Sequence, residues 1–372
     1  MRILVVRLRE IGDVVFTTPA LTALRARFPK AFIAYLVEPP AAPVVAGNPS
    51  IDELIVAPHR TGRLTLARLR AEVRLIRELR ARRFDLILDF HGGPRASIVS
   101  WLSGAPRRVG YRVAGRSWMY TTAVDRPREL RPRHSVENQW DLLTALGFDR
   151  PDPRLVPVVM TLDAVAAQQV DVRLTGAAVT SAERVVVIHV SAGNPFRRWS
   201  IAAFARLAAQ LASDDPRHRI VVTSGPSERH ASASVIEAAR ASLPPAVAGQ
   251  VLDCGDFSLA ELRALVERAI LYIGGDSGPM HIAATSRVPM VSLYGPTLPA
   301  RSAPWRDPQW RAEAVQVEGL PCRPCDQRAC APGDFRCLSR MTPDDVVAAA
   351  RRALGATPAA ATEATPARTS DG

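Results

Sequence analysis

The sequence predicts an α/β fold of two Rossmann-like parallel-sheet domains facing a central cleft. Three observations predict it. The chain has 372 residues, enough for about two domains at roughly 100–200 residues each. Short apolar strands alternate with helical stretches twice along the chain, without hairpin signals, as in parallel sheets. A stretch over 150–183 carrying Pro151, Pro153, Pro157 and Gly176 reads as a connector between the two alternations.

The elements follow in order. Arg2–Leu8 is a β-branched strand, Glu10-Ile-Gly-Asp13 a turn, and Val14–Arg27 a helix with Pro19 near its first turns. Ala31–Val37 and Glu53–Ala57 are strands. Leu64–Arg83 is a helix, because Leu66, Leu69, Val73, Ile76 and Leu79 recur at helical spacing. Asp85–Phe90 is a strand stopped by His91-Gly-Gly-Pro94, and Val136–Leu146 is a helix. The second half begins with strand Arg184–Val190 and helix Ile201–Leu211. Strand Arg219–Thr223 and helix Glu228–Ala241 follow, then strand Val251–Cys254 and helix Leu259–Arg268. Strand Leu271–Ile273, the short helix Gly278–Thr285, strand Pro289–Tyr294 and a last helix over Thr342–Leu354 complete it. The predicted domains are therefore 1–165 and 166–341, with a terminal helix over 342–354. Gly355–Gly372 is Ala/Thr/Pro-rich, lacks apolar anchors and is expected to be disordered. Parallel sheets bind ligands at the carboxyl ends of their strands, so the cleft between the domains is the expected site.

Composition narrows the classes. An apolar fraction of 47% and a charged fraction of 23% exclude a disordered or fibrous chain. Lys and Arg number 48 against 36 Asp and Glu, a net charge of +12, and Lys30 is the single lysine. So uniform a choice of arginine reflects coding bias, yet the positive field points to an anionic partner: nucleic acid, anionic lipid or a phosphorylated substrate. Arginine is dense over Leu64–Arg83 and Arg107–Arg133, either as a solvated face or as a landing surface for phosphorylated lipid. Nucleic acid fits least, because no basic motif is interleaved with aromatics. No run of ~20 apolar residues exists. Arg7, Arg9, Glu10 and Asp13 interrupt the first apolar run too early for a signal peptide. A cytoplasmic location is expected, with the five cysteines reduced or metal-bound.

Four constellations lie on turns after strands or in a late loop. Asp13 follows Gly12 where a helix begins, and reads either as an N-cap or as a general base in the cleft. Ser191-Ala-Gly-Asn-Pro-Phe-Arg-Arg-Trp199 has the small polar turn and Arg197 suited to phosphate, or else a solvated arginine pair. Gly274-Gly-Asp-Ser-Gly-Pro-Met-His281, with Tyr294-Gly-Pro-Thr297, ends a strand in glycines. It starts a helix at Ser277–Gly278 whose N–H groups suit a diphosphate, with Asp276 before it and His281 on the first turn. Neither the dinucleotide fingerprint nor a Walker A loop is matched, which weakens dehydrogenase and P-loop readings. Cys322, Cys325, Cys330 and Cys337 have the density of a structural zinc site, or close a loop as reduced thiols; Cys254 reads as a core residue.

Together these residues resemble the glycosyltransferase family 9 heptosyltransferases, in particular the heptosyltransferase II subgroup. Arg2 to Leu21 resembles the family's opening, and Gly275-Asp-Ser-Gly-Pro-Met-His281 with Tyr294-Gly-Pro-Thr297 resembles its nucleotide-sugar signature. The cysteine segment and Leu338–Val347 resemble the C-terminal region of that subgroup. The resemblance implies a GT-B fold with an acceptor-binding first domain, a nucleotide-sugar-binding second domain and a last helix returning to the first. It implies inverting transfer of L-glycero-D-manno-heptose from an ADP-sugar donor to a lipid A-linked core oligosaccharide. The enzyme would work at the anionic inner leaflet, on the cytoplasmic face of the inner membrane, and without nucleic acid. The family's catalytic aspartate falls on Asp13. Its phosphate-binding lysine falls on Arg197, a departure that keeps the charge. Ser277 stands where threonine is common, and Glu228 falls near the acidic residue that contacts the nucleoside. Ser191, Gly278 and His281 join the expected donor site. No Asp-x-Asp motif stands in the cleft loops, so no catalytic metal is expected. The alternatives are a family 9 transferase for another nucleotide-sugar or acceptor glycan, and a non-catalytic sugar-nucleotide-binding protein.

Overall fold

The computed structural model describes residues 1–59, 65–126 and 133–355. The expected disordered tail beyond Gly355, Leu64 and part of the Arg107–Arg133 segment lie outside the described residues.

Two six-stranded parallel sheets form the framework. The first holds β1 (Arg2–Val6), β2 (Phe32–Val37), β3 (Glu53–Val56), β4 (Leu86–Asp89), β5 (Arg107–Tyr111) and β6 (Thr122–Val124), in the order β3-β2-β1-β4-β5-β6. The second holds β7 (Arg184–His189), β8 (His218–Thr223), β9 (Val251–Leu252), β10 (Ala269–Gly275), β11 (Met290–Tyr294) and β12 (Ala312–Gln316), in the order β12-β11-β10-β7-β8-β9. In both, the order reverses beside the first strand of the unit, which opens a crevice at the carboxyl ends of β1 and β7. This is the two-domain GT-B architecture expected from the resemblance.

The helices of the first unit are α1 (Ile11–Val15), α2 (Thr18–Arg27), α3 (Ala42–Val45), α4 (Leu66–Ala81), α5 (Pro94–Leu102) and α6 (Ser135–Thr144). Then come α7 (Ala164–Gly176), α8 (Ile201–Asp214), α9 (Arg229–Ala241), α10 (Pro245–Ala248), α11 (Leu259–Arg268), α12 (Gly278–Ala283), α13 (Pro299–Ser302), α14 (Arg336–Ser339) and α15 (Pro343–Leu354). Parallel strands need cover on both faces, and three apolar clusters supply it. One, under α4 and α5, joins Leu4, Val6, Leu75, Leu79 and Val99. A second, under α8, α9 and α15, joins Ile188, Leu207, Val235 and Val346. The third runs across both units, from Val5 and Val14 through Trp140 to Tyr272, Met280 and Ile282. The cleft is thus floored by a shared core.

The structure departs from the sequence reading in four places. The helix over Val14–Arg27 is broken at Phe16–Thr17 into α1 and α2. Thr17 Oγ1 donates to the Val14 carbonyl at 2.6 Å and Thr18 Oγ1 to that of Val15 at 2.7 Å, while Pro19 has no N–H to continue the ladder. The connector contains α7, which Asp163 caps by accepting from Ala166 N at 2.8 Å, and which packs on α11. The elements α3, α5, β5, β6, α10, α13, β12 and α14 have no counterpart in the sequence reading. Finally, α15 does not return to the first domain. It packs on α8 and on β10, β11 and β12, because Val346, Val347, Ala350 and Ala353 face the second sheet's outer core.

Candidate active site

The crevice is built where α1 of the first unit meets α12 of the second. β1 ends at Val6, and Arg7 and Leu8 stay buried behind it. Glu10 then turns the chain with φ of 69°, a left-handed value that costs a non-glycine residue about 1–2 kcal/mol. Glu10, rather than Asp13, occupies the N-cap position of α1, and Asp13 stands in its first turn. The capping alternative for Asp13 therefore falls away. Its side chain is 38% exposed, forms an ion pair with Arg7, and is otherwise open. Arg7 is buried and also donates to the Phe90 carbonyl at 2.6 Å, so the carboxylate is held by a group that cannot swing away. Gln139 of α6 donates to the Asp13 carbonyl at 3.2 Å.

Two glycines set how close the units come. A Cβ on Gly12 would lie 2.6 Å from Cδ2 of His281. A Cβ on Gly278 would lie 2.9 Å from Cβ and Cγ2 of Ile11. Neither site has room for a side chain. Phe16 packs at a tilt against the His281 ring with centroids 4.3 Å apart. The first turn of α1 and the start of α12 are therefore in contact.

On that side β10 runs out into Gly274 and Gly275, and Asp276 is buried at its end. Burial alone would raise the Asp276 carboxyl. His281, with Nε2 3.6 Å from Oδ1, and Arg197, with one guanidinium nitrogen 3.4 Å from Oδ2, outweigh it and hold the group below the usual carboxylate range. The same Arg197 nitrogen donates to the Asp276 carbonyl at 3.0 Å. Ser277 is the N-cap of α12 but its hydroxyl caps nothing. Ser277 Oγ and His281 Nδ1 are buried without a hydrogen-bond partner among the described residues. Leaving such a group unmet costs about 1–3 kcal/mol, so their gathering beside a helix N-terminus and an arginine marks where a polar, anionic ligand would be met.

Arg197, Asp276, Ser277, Gly278 and His281 gather at the start of α12, and Gly12, next to Asp13 in sequence, abuts His281. Ser191 and Glu228 are not part of that group. The Ser191 hydroxyl accepts from Gly225 N at 2.7 Å and lies 3.0 Å from His189 Nε2, so it ties β7 to the turn after β8. Glu228 pairs with Arg198 at 2.6 Å. Both sit further along the same crevice, after β7 and β8. Thr297 closes the Tyr294-Gly-Pro-Thr297 run of the signature, whereas Arg7 and Gln327, whose amide oxygen accepts from Arg197 Nε at 2.6 Å, are site residues that the sequence reading does not single out. Arg7 is a charge at a strand end; Gln327 comes from a distant segment.

The four cysteines of the late loop are free thiols lining one cavity of about 150 Å³, with Phe196 and Phe335. Among the described residues no three His, Cys, Asp or Glu side chains come close enough to hold an ion. Cys337 is buried at the start of α14, while the other three are half-buried in the loop.

In the first unit, the strand ends carry a second polar group. Asp89 is buried and accepts from Tyr120 OH at 2.6 Å and from the N–H groups of His91 and Gly92 at 2.9 Å; burial pushes its carboxyl up. Burial and the nearby Arg7, Arg9 and Arg126 push the His91 imidazole down to about 4. Arginines from two segments, the end of β1 and the stretch after β6, thus act on the His91 imidazole.

A family model, Glycosyltransferase family 9 (heptosyltransferase), matches residues 72–334. Lipopolysaccharide heptosyltransferase 3 of Escherichia coli is 28% identical over 348 residues, covering 93% of this chain and 97% of that protein. The crystal structure of a family 9 glycosyl transferase from Veillonella parvula superposes with a TM-score of 0.78 at 24% identity, covering 95% of this chain and 97% of that one. The structure of E. coli ADP-heptose lps heptosyltransferase II gives 0.72 at 20% identity, covering 95% and 98%.

Proposed function

From the premise that the chain belongs to glycosyltransferase family 9, we propose that it transfers heptose from ADP-L-glycero-D-manno-heptose to the lipopolysaccharide inner core. Transfer would invert the anomeric carbon, with Asp13 as general base. The observation that carries the reading is the glycine-fitted contact of α12, whose N-cap hydroxyl is buried and unmet, with α1, the helix that bears the half-open Asp13 carboxylate. Relatives and solved neighbours that carry heptosyltransferase names support the donor and acceptor classes.

In this scheme the acceptor hydroxyl binds on the first-unit side of the crevice. Its oxygen forms a bond to the anomeric carbon as the bond to the diphosphate oxygen breaks, and its proton passes to an Asp13 carboxylate oxygen. Negative charge gathers on the leaving ADP. Arg197, the Ser277 hydroxyl and the first turn of α12 are preorganised donors for that charge. Arg7 keeps the Asp13 carboxylate oriented. Asp276 acts through Arg197 and His281, holding both in place. These cationic and dipolar groups supply the countercharge, so the proposed chemistry uses no metal, and transfer is expected to persist in excess EDTA. Strict magnesium dependence would contradict it.

The Asp13→Asn variant tests the base. ADP affinity should stay near that of the parent, while transfer falls by about 10²-fold or more. Full activity would remove Asp13 from the mechanism.

The proposal includes a cytoplasmic enzyme resting on the anionic inner leaflet. No helix among the described residues is long and apolar enough to cross a membrane. On the outer side of the first sheet, Leu66, Leu69 and Val73 of α4 and Ile98 and Trp101 of α5 are exposed. Trp118 is 60% exposed and packs edge-on against Trp101 at 5.1 Å. Exposed Arg70, Arg74 and Arg77 lie on the same helix as the leucines. An apolar ridge among arginines suits an interface of acyl chains and anionic headgroups.

A further inference from the structure

The four-cysteine loop does more than close the second unit. It reaches back to both turns of the proposed diphosphate site. Gln327 Oε1 accepts from Arg197 Nε at 2.6 Å and from Asn194 Nδ2 at 3.2 Å. Asn194 itself accepts from Phe196 N at 3.0 Å, so the amide grips the turn that carries Arg197 from two sides. The same loop holds the other turn. Arg323 donates to the Thr297 carbonyl at 2.5 Å, and Cys325 N donates to the Pro296 carbonyl at 3.3 Å. Phe335 packs on Phe196 with ring centroids 5.3 Å apart, and both rings line the cavity that the four thiols surround.

Arg197 is 30% exposed, and a long side chain at that exposure has several rotamers open to it. Two anchors restrict it. One nitrogen is taken by the Asp276 carbonyl and Nε is taken by Gln327, which leaves the remaining edge of the guanidinium for a ligand. Gln327 has φ of 59°, a left-handed backbone that glutamine rarely adopts. The loop holds that strained turn where the amide meets Arg197.

We infer that Gln327 is a positioning residue for Arg197, and that the loop from Val317 to Phe335 is a brace that presets the diphosphate clamp. The inference rests on the reading of Arg197 as a diphosphate ligand. Gln327 touches no substrate in this account; it acts by removing the freedom that Arg197 would otherwise lose on binding.

A double-mutant cycle on the full-length protein tests it, with ADP as the probe and calorimetry as the readout. Gln327→Ala should raise the Kd for ADP by about tenfold, the scale of a hydrogen bond to a charged group. In an Arg197→Ala background the same substitution should change the Kd by less than about twofold. The melting temperature of the Gln327 variant should match the parent, since the residue is half-buried in a loop. An equal loss in both backgrounds would mean that Gln327 acts on the fold or on the ligand directly, and would overturn the inference. An unchanged Kd in Gln327→Ala, with Arg197→Ala still weakened, would overturn it while sparing the diphosphate reading. An unchanged Kd in Arg197→Ala would remove both.

Discussion

At the scale of single residues, the site depends on what Gly12 and Asp13 each exclude. Gly12 admits the His281 ring where any Cβ would sit at 2.6 Å from it. Gly12→Ala should therefore force α1 and α12 apart. We expect transfer to fall at least tenfold, because misplacing reacting groups by an ångström costs about 10²-fold, and the melting temperature to drop as well. A fully active Gly12→Ala variant would show that the contact does not set the geometry. Much of this was legible in the sequence. Asp13, Asp276, Ser277, Gly278 and His281 sit in two short runs whose turn residues and spacing announce a strand end and a helix start. What was not legible came from far along the chain. Gln327 enters the site through a loop whose path depends on tertiary packing. Ser191 shows what a turn sequence leaves open: its turn suits phosphate, and tertiary packing also brings the Gly225 N–H onto its hydroxyl.

At the scale of elements, periodicity finds the helices and strands with a strong apolar pattern and misses those, such as α5, β5 and α7, that meet the core through a few residues. β12 reads Ala-Glu-Ala-Val-Gln and lies at the sheet edge, where only Val315 is buried. β5 begins with Arg107-Arg108 and still joins the first sheet, because backbone pairing with β4 does not depend on the exposed side chains. α7 is rich in Ala and Gln and follows a proline-marked stretch, so its three buried anchors, Ala166, Val170 and Leu174, gave a faint signal. α4 displays its apolar pattern on both sides: Leu75 and Leu79 enter the core, while Leu66, Leu69 and Val73 stay outside. That second stripe makes a prediction for α4 and α5 as one surface. The protein should sediment with vesicles containing anionic phospholipid, and less so as salt rises. Trp101→Ala combined with Trp118→Ala should weaken sedimentation several-fold while leaving ADP binding unchanged. Equal binding to neutral vesicles, or no effect of the double substitution, would assign the ridge another role.

At the scale of the molecule, two sheets share one core and open one crevice, and the excess of positive charge divides by position. Arg197 belongs to the diphosphate site, Arg7 to the carboxylate, and the arginines of α4 to an outer face. The buried histidines also give the whole fold a pH dependence. Burial is the first cause that depresses both His134 and His189 to about 4, against 6.5 in the unfolded chain. Between those values the unfolded chain binds protons that the folded one does not. Their contribution to stability is complete above about 6.5 and is lost as pH falls toward 4. The melting temperature should therefore be lower at about pH 5 than at about pH 7.5, and an equal or higher value at pH 5 would contradict that burial. The central claim, a heptose transfer for which Asp13 takes the acceptor proton, is tested most directly by product analysis. The parent and Asp13→Asn are incubated with ADP-heptose and a defined inner-core acceptor, and the product is read by mass and anomeric linkage. The account predicts one added heptose with inverted configuration from the parent, and at least about a hundredfold less from the variant. Retained configuration, no transfer by the parent, or undiminished transfer by Asp13→Asn would contradict it.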